Sequence, residues 1–268
     1  MSATIDPRAY VDPSAVLADG VEVGPFAYVG PEVTLGPGTV VMHHGTVHGW
    51  TRMGAGNRIW PYACVGGDPQ DLGYKGDESR LEVGDRNVFR EGVTVSRGTS
   101  KEKRVTRIGD DCLLMACCHV GHDCVLGNSV ILANAVLLAG HCHIEDRAIL
   151  AGAAAVHHFT TVGRMAFVGG LSRIIMDVPP YMIVEGHPAR VVKVNIVGLK
   201  RGGLSEDRIR AVRRAFKELW RGDQLVREKT LDRLERDPAV TEEVKYLVGF
   251  LRRQMGGQHG RGREAGRG

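Results

Sequence analysis

The 268-residue chain has little that would tie it to a membrane, to nucleic acid or to an oxidising compartment. No window approaches the roughly 20 consecutive apolar residues that cross a bilayer. No N-terminal stretch joins a basic region to an apolar run, as a secretion signal would. Both absences predict a cytoplasmic protein with no membrane span. Aromatic residues make up only 6% of the chain, and the formal charge of +4 is not gathered into an aromatic-interleaved patch, which excludes the usual nucleic-acid grip. That mild basic excess suits a phosphate-bearing ligand or an acidic protein partner. The six cysteines form no CxxC pair and lack zinc-module spacing, so they are expected as reduced interior fillers, Cys117 included, with no cofactor implied.

What the chain does have is a period of six. Aliphatic residues recur at Ile5, Val11, Leu17, Val23, Val29, Leu35, Val41, Val47, Met53, Ile59 and Val65, resume at Val83, Phe89 and Val95, and run again from Ile108 to Ile174. A helix wants apolar spacings of three and four and a single strand wants two, so a strict six fits neither alone. It fits a solenoid in which each hexad is one short strand and a turn and three hexads close one triangular coil. Positions eighteen apart then stack. The expected architecture is an all-β parallel β-helix over residues 1–190, a C-terminal α-helical domain over 191–256, and a disordered Gly/Arg-rich tail over 257–268. In the helical part, Ser205 is a candidate N-cap and Ile209, Val212, Phe216 and Leu219 form an apolar stripe. These helices should cover the end of the solenoid or pack against neighbours.

Two segments, 66–82 and 98–107, break the period and must leave the coil as loops, commonly on a binding face. The first mixes Gln70, Asp71, Tyr74 and Lys75 and reads as functional. The second reads as little more than a charged turn.

Of the eleven histidines, His119, His122, His141, His143, His157 and His158 fall within forty residues. His122, His141 and His157 lie in hexads eighteen apart, on one face of three successive coils spaced about 4.8 Å. Imidazole suits proton transfer near neutral pH, and Asp123, directly after His122, is placed to orient its ring. One such histidine alone would read as a locally bonded turn residue; three in one column read as a site. Stacked imidazoles also suit zinc. A zinc lyase like the hexapeptide-repeat carbonic anhydrases is the second reading, although their two histidines five apart have no counterpart here. A catalytically silent solenoid is the third.

The strings LLMACCHVGHDCVLGN (113–128), ILANAVLLAGH (131–141), AAAVHHF (153–159), DVPPY (177–181) and VNIVGLKR (194–201) resemble the UDP-N-acetylglucosamine acyltransferase family. So does GDPQDLGYKGDESRLEVGDRNVFREGVTVSRGT (67–99), and the likeness covers nearly the whole chain up to the helices. The resemblance implies a left-handed β-helix and a homotrimer with active sites between subunits. It implies transfer of an (R)-3-hydroxyacyl chain from acyl carrier protein to the 3-hydroxyl of UDP-N-acetylglucosamine, the first step of lipid A biosynthesis. By position, His122 would be the general base with Asp123 beside it, and the Gly140 N–H would hold the thioester oxyanion. Gln70, Asp71, His119, His141, His157 and His158 would line the sugar site, Asn195 and Arg201 would meet the nucleotide, and Gly170 would set acyl length. Gly73, His158, Val197 and Gly202 stand where Lys, Gln, Glu and Arg are usual in the family. These departures fall at the acceptor contacts, and they keep an altered UDP-amino sugar, such as the 3-amino analogue, as a variant of the reading, with Lys75 or Lys200 as compensating cations. The basic residues Arg208, Arg210, Arg213, Arg214 and Lys217 are the expected docking surface for the acidic carrier protein.

Overall fold

The computed structural model describes residues 2–220 and 224–257. From Thr4 onward the chain winds as a left-handed parallel β-helix of triangular section. Its first face has 11 strands, its second nine and its third eight. The register is the one the hexads require: Val11 pairs with Val29, Leu17 with Leu35 and Val23 with Val41, all in parallel. Most strands are two residues long, one directed outward and one inward. The inward residues, such as Val29, Leu35, Val41, Val47 and Ile59, are fully buried and stack coil upon coil. Burial of this ladder is the main favourable term, at ~1.5–3 kcal/mol for each Val, Leu or Ile side chain.

The two breaks in the period leave the stacking intact. Ile59 pairs with Phe89 and Phe89 with Leu114, so each excursion adds chain between one coil and the next without disturbing the ladder. The excursions are shorter than the sequence implied, spanning 68–79 and 97–104, because 64–67, 80–83 and 105–108 remain paired strands.

Four cysteines fill the interior as expected: Cys112, Cys118, Cys124 and Cys142 are buried. Burial pushes the Cys112 and Cys118 thiols up to about 11, which keeps them protonated and unreactive. Cys117 departs from the expectation. It is exposed, because it occupies the outer corner position, where φ is 62°, rather than the inward one.

At the corner from the third face to the first, side chains close onto backbone. Asn57 donates to Gly54 O and Gly84 O, both at 2.9 Å, and accepts from Asn87 N at 2.9 Å and Asn87 Nδ2 at 3.0 Å. Asp85, Asp110, Asn128 and Asp146 continue the column, each accepting a backbone N–H of the preceding coil at 2.7–2.8 Å.

The solenoid ends in an antiparallel hairpin, Met182–Gly186 and Ala189–Val194, whose first strand joins the first face. The hairpin's second strand spans the 190/191 position. Helices α1 (Ile196–Arg201), α2 (Glu206–Trp220), α3 (Gln224–Arg236) and α4 (Glu242–Met255) follow. They build a second core in which Ile209, Val212 and Leu219 pack with Leu231, Leu247 and the hairpin residues Met182 and Val194. Phe216, expected in the same stripe, stays half-buried and stacks on Trp220 at 5.3 Å. Ser205 accepts from Arg208 N through its hydroxyl at 3.4 Å. Among the described residues no helix is long and apolar enough to cross a membrane. Residues 258–268 of the tail lie outside the described residues.

Candidate active site

The corner between the second and third faces collects the unusual residues of the sequence. Strand 64–67 leads through the 68–79 excursion to strand 80–83, and strand 94–96 leads through 97–104 to strand 105–108. On the next three coils the same corner holds Gly121–Cys124, Ala139–Cys142 and His157–Thr160. Both loops therefore overhang the histidines, and parallel stacking produces this convergence from residues far apart in sequence.

At the centre, His122 Nδ1 lies 2.9 Å from Asp123 Oδ2. Asp123 is 1% exposed and its carboxylate is fully engaged: Oδ1 accepts from Thr99 N at 2.9 Å and Oδ2 from the Thr99 hydroxyl at 2.6 Å. Its own N–H donates to Thr106 Oγ1 at 2.8 Å. Burial works against the charged form, but the hydrogen bonds from His122 and Thr99 outweigh it and hold the carboxyl below the usual carboxylate range. An ionised Asp123 assigns the proton of a neutral His122 to Nδ1 and leaves the Nε2 lone pair free to accept one. Gly140 makes this placement possible. A Cβ there would stand 2.6 Å from His122 Cε1 and 2.8 Å from Nε2, so any side chain would displace the ring. The Gly140 N–H donates to no backbone carbonyl among the described residues.

His141 is 4% exposed, meets the His122 ring edge-on at 4.9 Å between centroids, and stacks on Phe159 at 4.4 Å. Glu102 Oε2 stands 3.2 Å from its Nδ1. The loops supply the outer wall. Asp71 Oδ2 lies 4.0 Å from His122 Nε2 and 2.6 Å from Lys101 Nζ, while Oδ1 accepts from Gly73 N at 2.7 Å. The hydrogen bond from Lys101, seconded by that from Gly73, holds the Asp71 carboxyl below its ordinary range. Arg97, 4% exposed, braces the base of the first loop by donating to Gly66 O at 2.9 Å, to Tyr74 Oη at 3.1 Å and to the Asp68 carboxylate.

The second excursion is thus more than the charged turn expected of it. Thr99, Lys101 and Glu102 all reach the site, where they meet Asp123, Asp71 and His141. Sequence reasoning missed them because the excursions shift these pairings out of the hexad count. The column of three imidazoles also needs correction. His122 and His141 meet, but Phe159 occupies the position above His141, and His157 turns its Nδ1 to His158 O at 3.3 Å. The physical reason is register: position 159, not 157, is eighteen from His141. His158 is exposed beside His157, with rings 5.5 Å apart. His119 points outward on the second face, its Nδ1 2.8 Å from Thr94 Oγ1, and burial followed by the nearby His122 lowers its pKa. Gln70 is exposed on the first loop.

Three further residues lie elsewhere on the single chain. Gly170 sits at the corner between the first and second faces, where a Cβ would meet Gly152 O at 3.3 Å. Asn195 caps α1, accepting from Gly198 N at 3.0 Å and donating to Met165 O at 2.9 Å. With Arg201 it lines a cleft of about 810 Å³ whose floor is Ile131, Ile149 and Phe167 of the first face, the face opposite the histidine corner. Of the two cations considered as compensating, Lys75 bonds Leu72 O on the first loop at 3.3 Å, and Lys200 on α1 pairs with Glu206 at 2.6 Å.

His122, Asp123 and His141 each offer a donor atom, all within 4.8 Å of one another. The carboxylate between the rings already takes hydrogen bonds from Thr99 and His122, so the trio has the wiring of an oriented base rather than of three ligands turned to one open point.

Comparison with known proteins agrees with this geometry. Residues 106–140 match the bacterial transferase hexapeptide model, and residues 177–262 match the second domain of UDP-N-acetylglucosamine O-acyltransferase. Among curated relatives, the acyl-[acyl-carrier-protein]–UDP-N-acetylglucosamine O-acyltransferase of Pseudomonas fluorescens is 48% identical over 240 residues, which is 90% of this chain and 93% of the relative. That of Anaeromyxobacter is 48% identical over 76% of this chain and 79% of the relative. Among solved structures, LpxA of Acinetobacter baumannii superposes with a TM-score of 0.88 at 39% identity, over 93% of this chain and 96% of that one. The Francisella novicida UDP-N-acetylglucosamine acyltransferase gives 0.88 at 35% identity over 92% and 90%. With identity of 48% to curated relatives and a shared fold over more than nine tenths of the chain, the chain belongs to the acyl-[acyl-carrier-protein]–UDP-N-acetylglucosamine O-acyltransferase family.

Proposed function

We propose that the protein transfers an (R)-3-hydroxyacyl group from acyl carrier protein to the 3-hydroxyl of UDP-N-acetylglucosamine, the opening step of lipid A biosynthesis, in the cytoplasm. The observation that carries the mechanism is the buried His122–Asp123 pair with Nε2 left free. His122 Nε2 takes the acceptor proton as the hydroxyl oxygen attacks the thioester carbon. The tetrahedral oxyanion is held by the Gly140 N–H. Collapse breaks the carbon–sulfur bond, and the proton on His122 returns to the departing thiolate. Asp123 stabilises the imidazolium between these steps.

Gln70, Asp71, His119, His141, His157 and His158 are assigned to the acceptor's sugar, and Asn195 and Arg201 to its nucleotide and phosphates. Because those last two open onto the face opposite His122, the complete site is assigned to two copies within a homotrimer, the histidine corner of one against the first-face cleft of the next. Gly170, which has no side chain to close the groove, is assigned to acyl length. Carrier docking is assigned to α2, where Arg213, Arg214 and Lys217 are exposed while Arg208 and Arg210 pair with Glu243 and Asp207.

The test is transfer from (R)-3-hydroxymyristoyl-acyl carrier protein to UDP-N-acetylglucosamine by the purified protein and by His122→Ala. Product from the first and not the second is the expected result. No product from the intact protein, with product when the 3-amino sugar nucleotide is supplied, would reassign the acceptor.

A further inference from the structure

Lys101 has no assigned role, yet its ammonium lies 2.6 Å from the carboxylate oxygen of Asp71 that is also 4.0 Å from His122 Nε2. Two loops meet at this contact, since Asp71 comes from the 68–79 excursion and Lys101 from 97–104. Gly73 shapes the contact. A Cβ at position 73 would stand 3.2 Å from Cε and Nζ of Lys101 and 3.2 Å from Asp71 Oδ1, so the glycine leaves the space that the lysine's end fills. Its φ is not in the left-handed region, so backbone conformation does not demand glycine there; close approach does. Two further cations of these loops are directed elsewhere: Lys75 bonds Leu72 O, and Arg97 braces Gly66, Asp68 and Tyr74 from below.

The consequence is a carboxylate fixed on both oxygens. Gly73 N holds Oδ1 and Lys101 holds Oδ2, which turns Asp71 toward His122 although the loop tip is open, with Leu72 99% exposed. Without Lys101, one backbone bond would remain and the carboxylate could rotate into solvent, a loss of order to be made up at each binding event. We propose that Lys101 is a positioning residue of the acceptor site: clasped to Asp71 in the space left by Gly73, it joins the two loops and presents Asp71 to the sugar of the nucleotide-bound acceptor. This inference rests on the transferase reading above. Lys101 acts through Asp71 and takes no part in proton transfer, so it bears on the acceptor and not on the acyl donor.

The experiment compares the full-length protein with Lys101→Met, Lys101→Arg and Gly73→Ala. It uses steady-state kinetics with each substrate varied in turn, calorimetric binding of UDP-N-acetylglucosamine, and thermal unfolding. Lys101→Met is expected to raise the acceptor KM and weaken acceptor binding about tenfold, with kcat and the donor KM changed by less than about threefold. Lys101→Arg, which keeps a cation within reach of Asp71, should recover most of the loss. Gly73→Ala, which pushes the lysine aside without touching its charge, should reproduce part of it. An unchanged acceptor KM in Lys101→Met overturns the inference, as does an equal loss with both substrates tracking a lowered Tm. If the unaltered protein neither turns over nor binds the sugar nucleotide, the transferase reading itself falls, an outcome separate from any result with the variants.

Discussion

Two corners of the same prism use the same backbone for different ends. At the corner from third face to first, the polar side chains of Asn57, Asn87, Asp85, Asp110, Asn128 and Asp146 are consumed by backbone groups of adjacent coils. At the corner from second face to third, Asp123 takes Thr99 N on one oxygen but shares the other with a hydroxyl and an imidazole, and the imidazole faces outward. The chain path at the two is alike: Asp111 and Asp123 both hold φ near 60°, at 58° and 59°. What separates a structural corner from a reactive one is where the side chains end. A polar column closed on backbone has nothing left to offer a ligand, whereas one that ends in a ring with a free lone pair has.

That contrast can be broken in order of expected effect. His122→Ala should lower kcat by about a thousandfold while Tm stays near that of the parent, because the ring serves chemistry and little of the packing. Gly140→Ala, which drives a methyl into the same ring, should cost about a hundredfold in turnover with His122 still present, checked by single-turnover transfer. Thr99→Val removes the 2.6 Å hydroxyl bond to Asp123, and a loss near tenfold in kcat is expected. Asn57→Ala sharpens the comparison from the other side. It should destabilise by ~2–4 kcal/mol in denaturant unfolding, since several buried backbone groups lose partners, yet leave turnover per folded molecule unchanged. A fall in kcat there would show that the two corners are coupled.

Acid should reveal the last and smallest difference. Asp123 and Asp71 are held below the ordinary carboxylate range, so their contribution to folding is present above about pH 4 and is lost as pH falls through their lower folded values. The Tm gap between parent and Asp123→Asn is therefore expected to be widest near neutrality and to close below about pH 4.

The solenoid was legible in the sequence because its period is set by the inward residue alone, and Val29, Leu35, Val41 and their successors bury as the hexads require. His122 and Asp123 were legible because neighbours in sequence stay neighbours in the corner. Lys101, Thr99 and Glu102 were not, since an excursion has no period from which to count its destination. The same limit placed three imidazoles in one column. A shift of two positions between 157 and 159 decides whether an imidazole or the Phe159 ring lies on His141, and counting hexads to the nearest face does not resolve it. Asn195 and Arg201 carry a different lesson: they line a cleft on the face opposite His122, and no single-chain pattern would reveal the meeting of two copies that the proposed function requires of them.

The longer excursion, 68–79, re-enters the stack in the phase at which it left, with Val65 and Val95 paired as if no chain had been inserted between them. The scaffold is thus modular in a literal sense: the segment that brings Asp71 to His122 has a length the coils do not count. If Asp71 on that segment reads the acceptor sugar as proposed, insertion, deletion or exchange there would shift acceptor preference while the coil carrying His122 keeps its register.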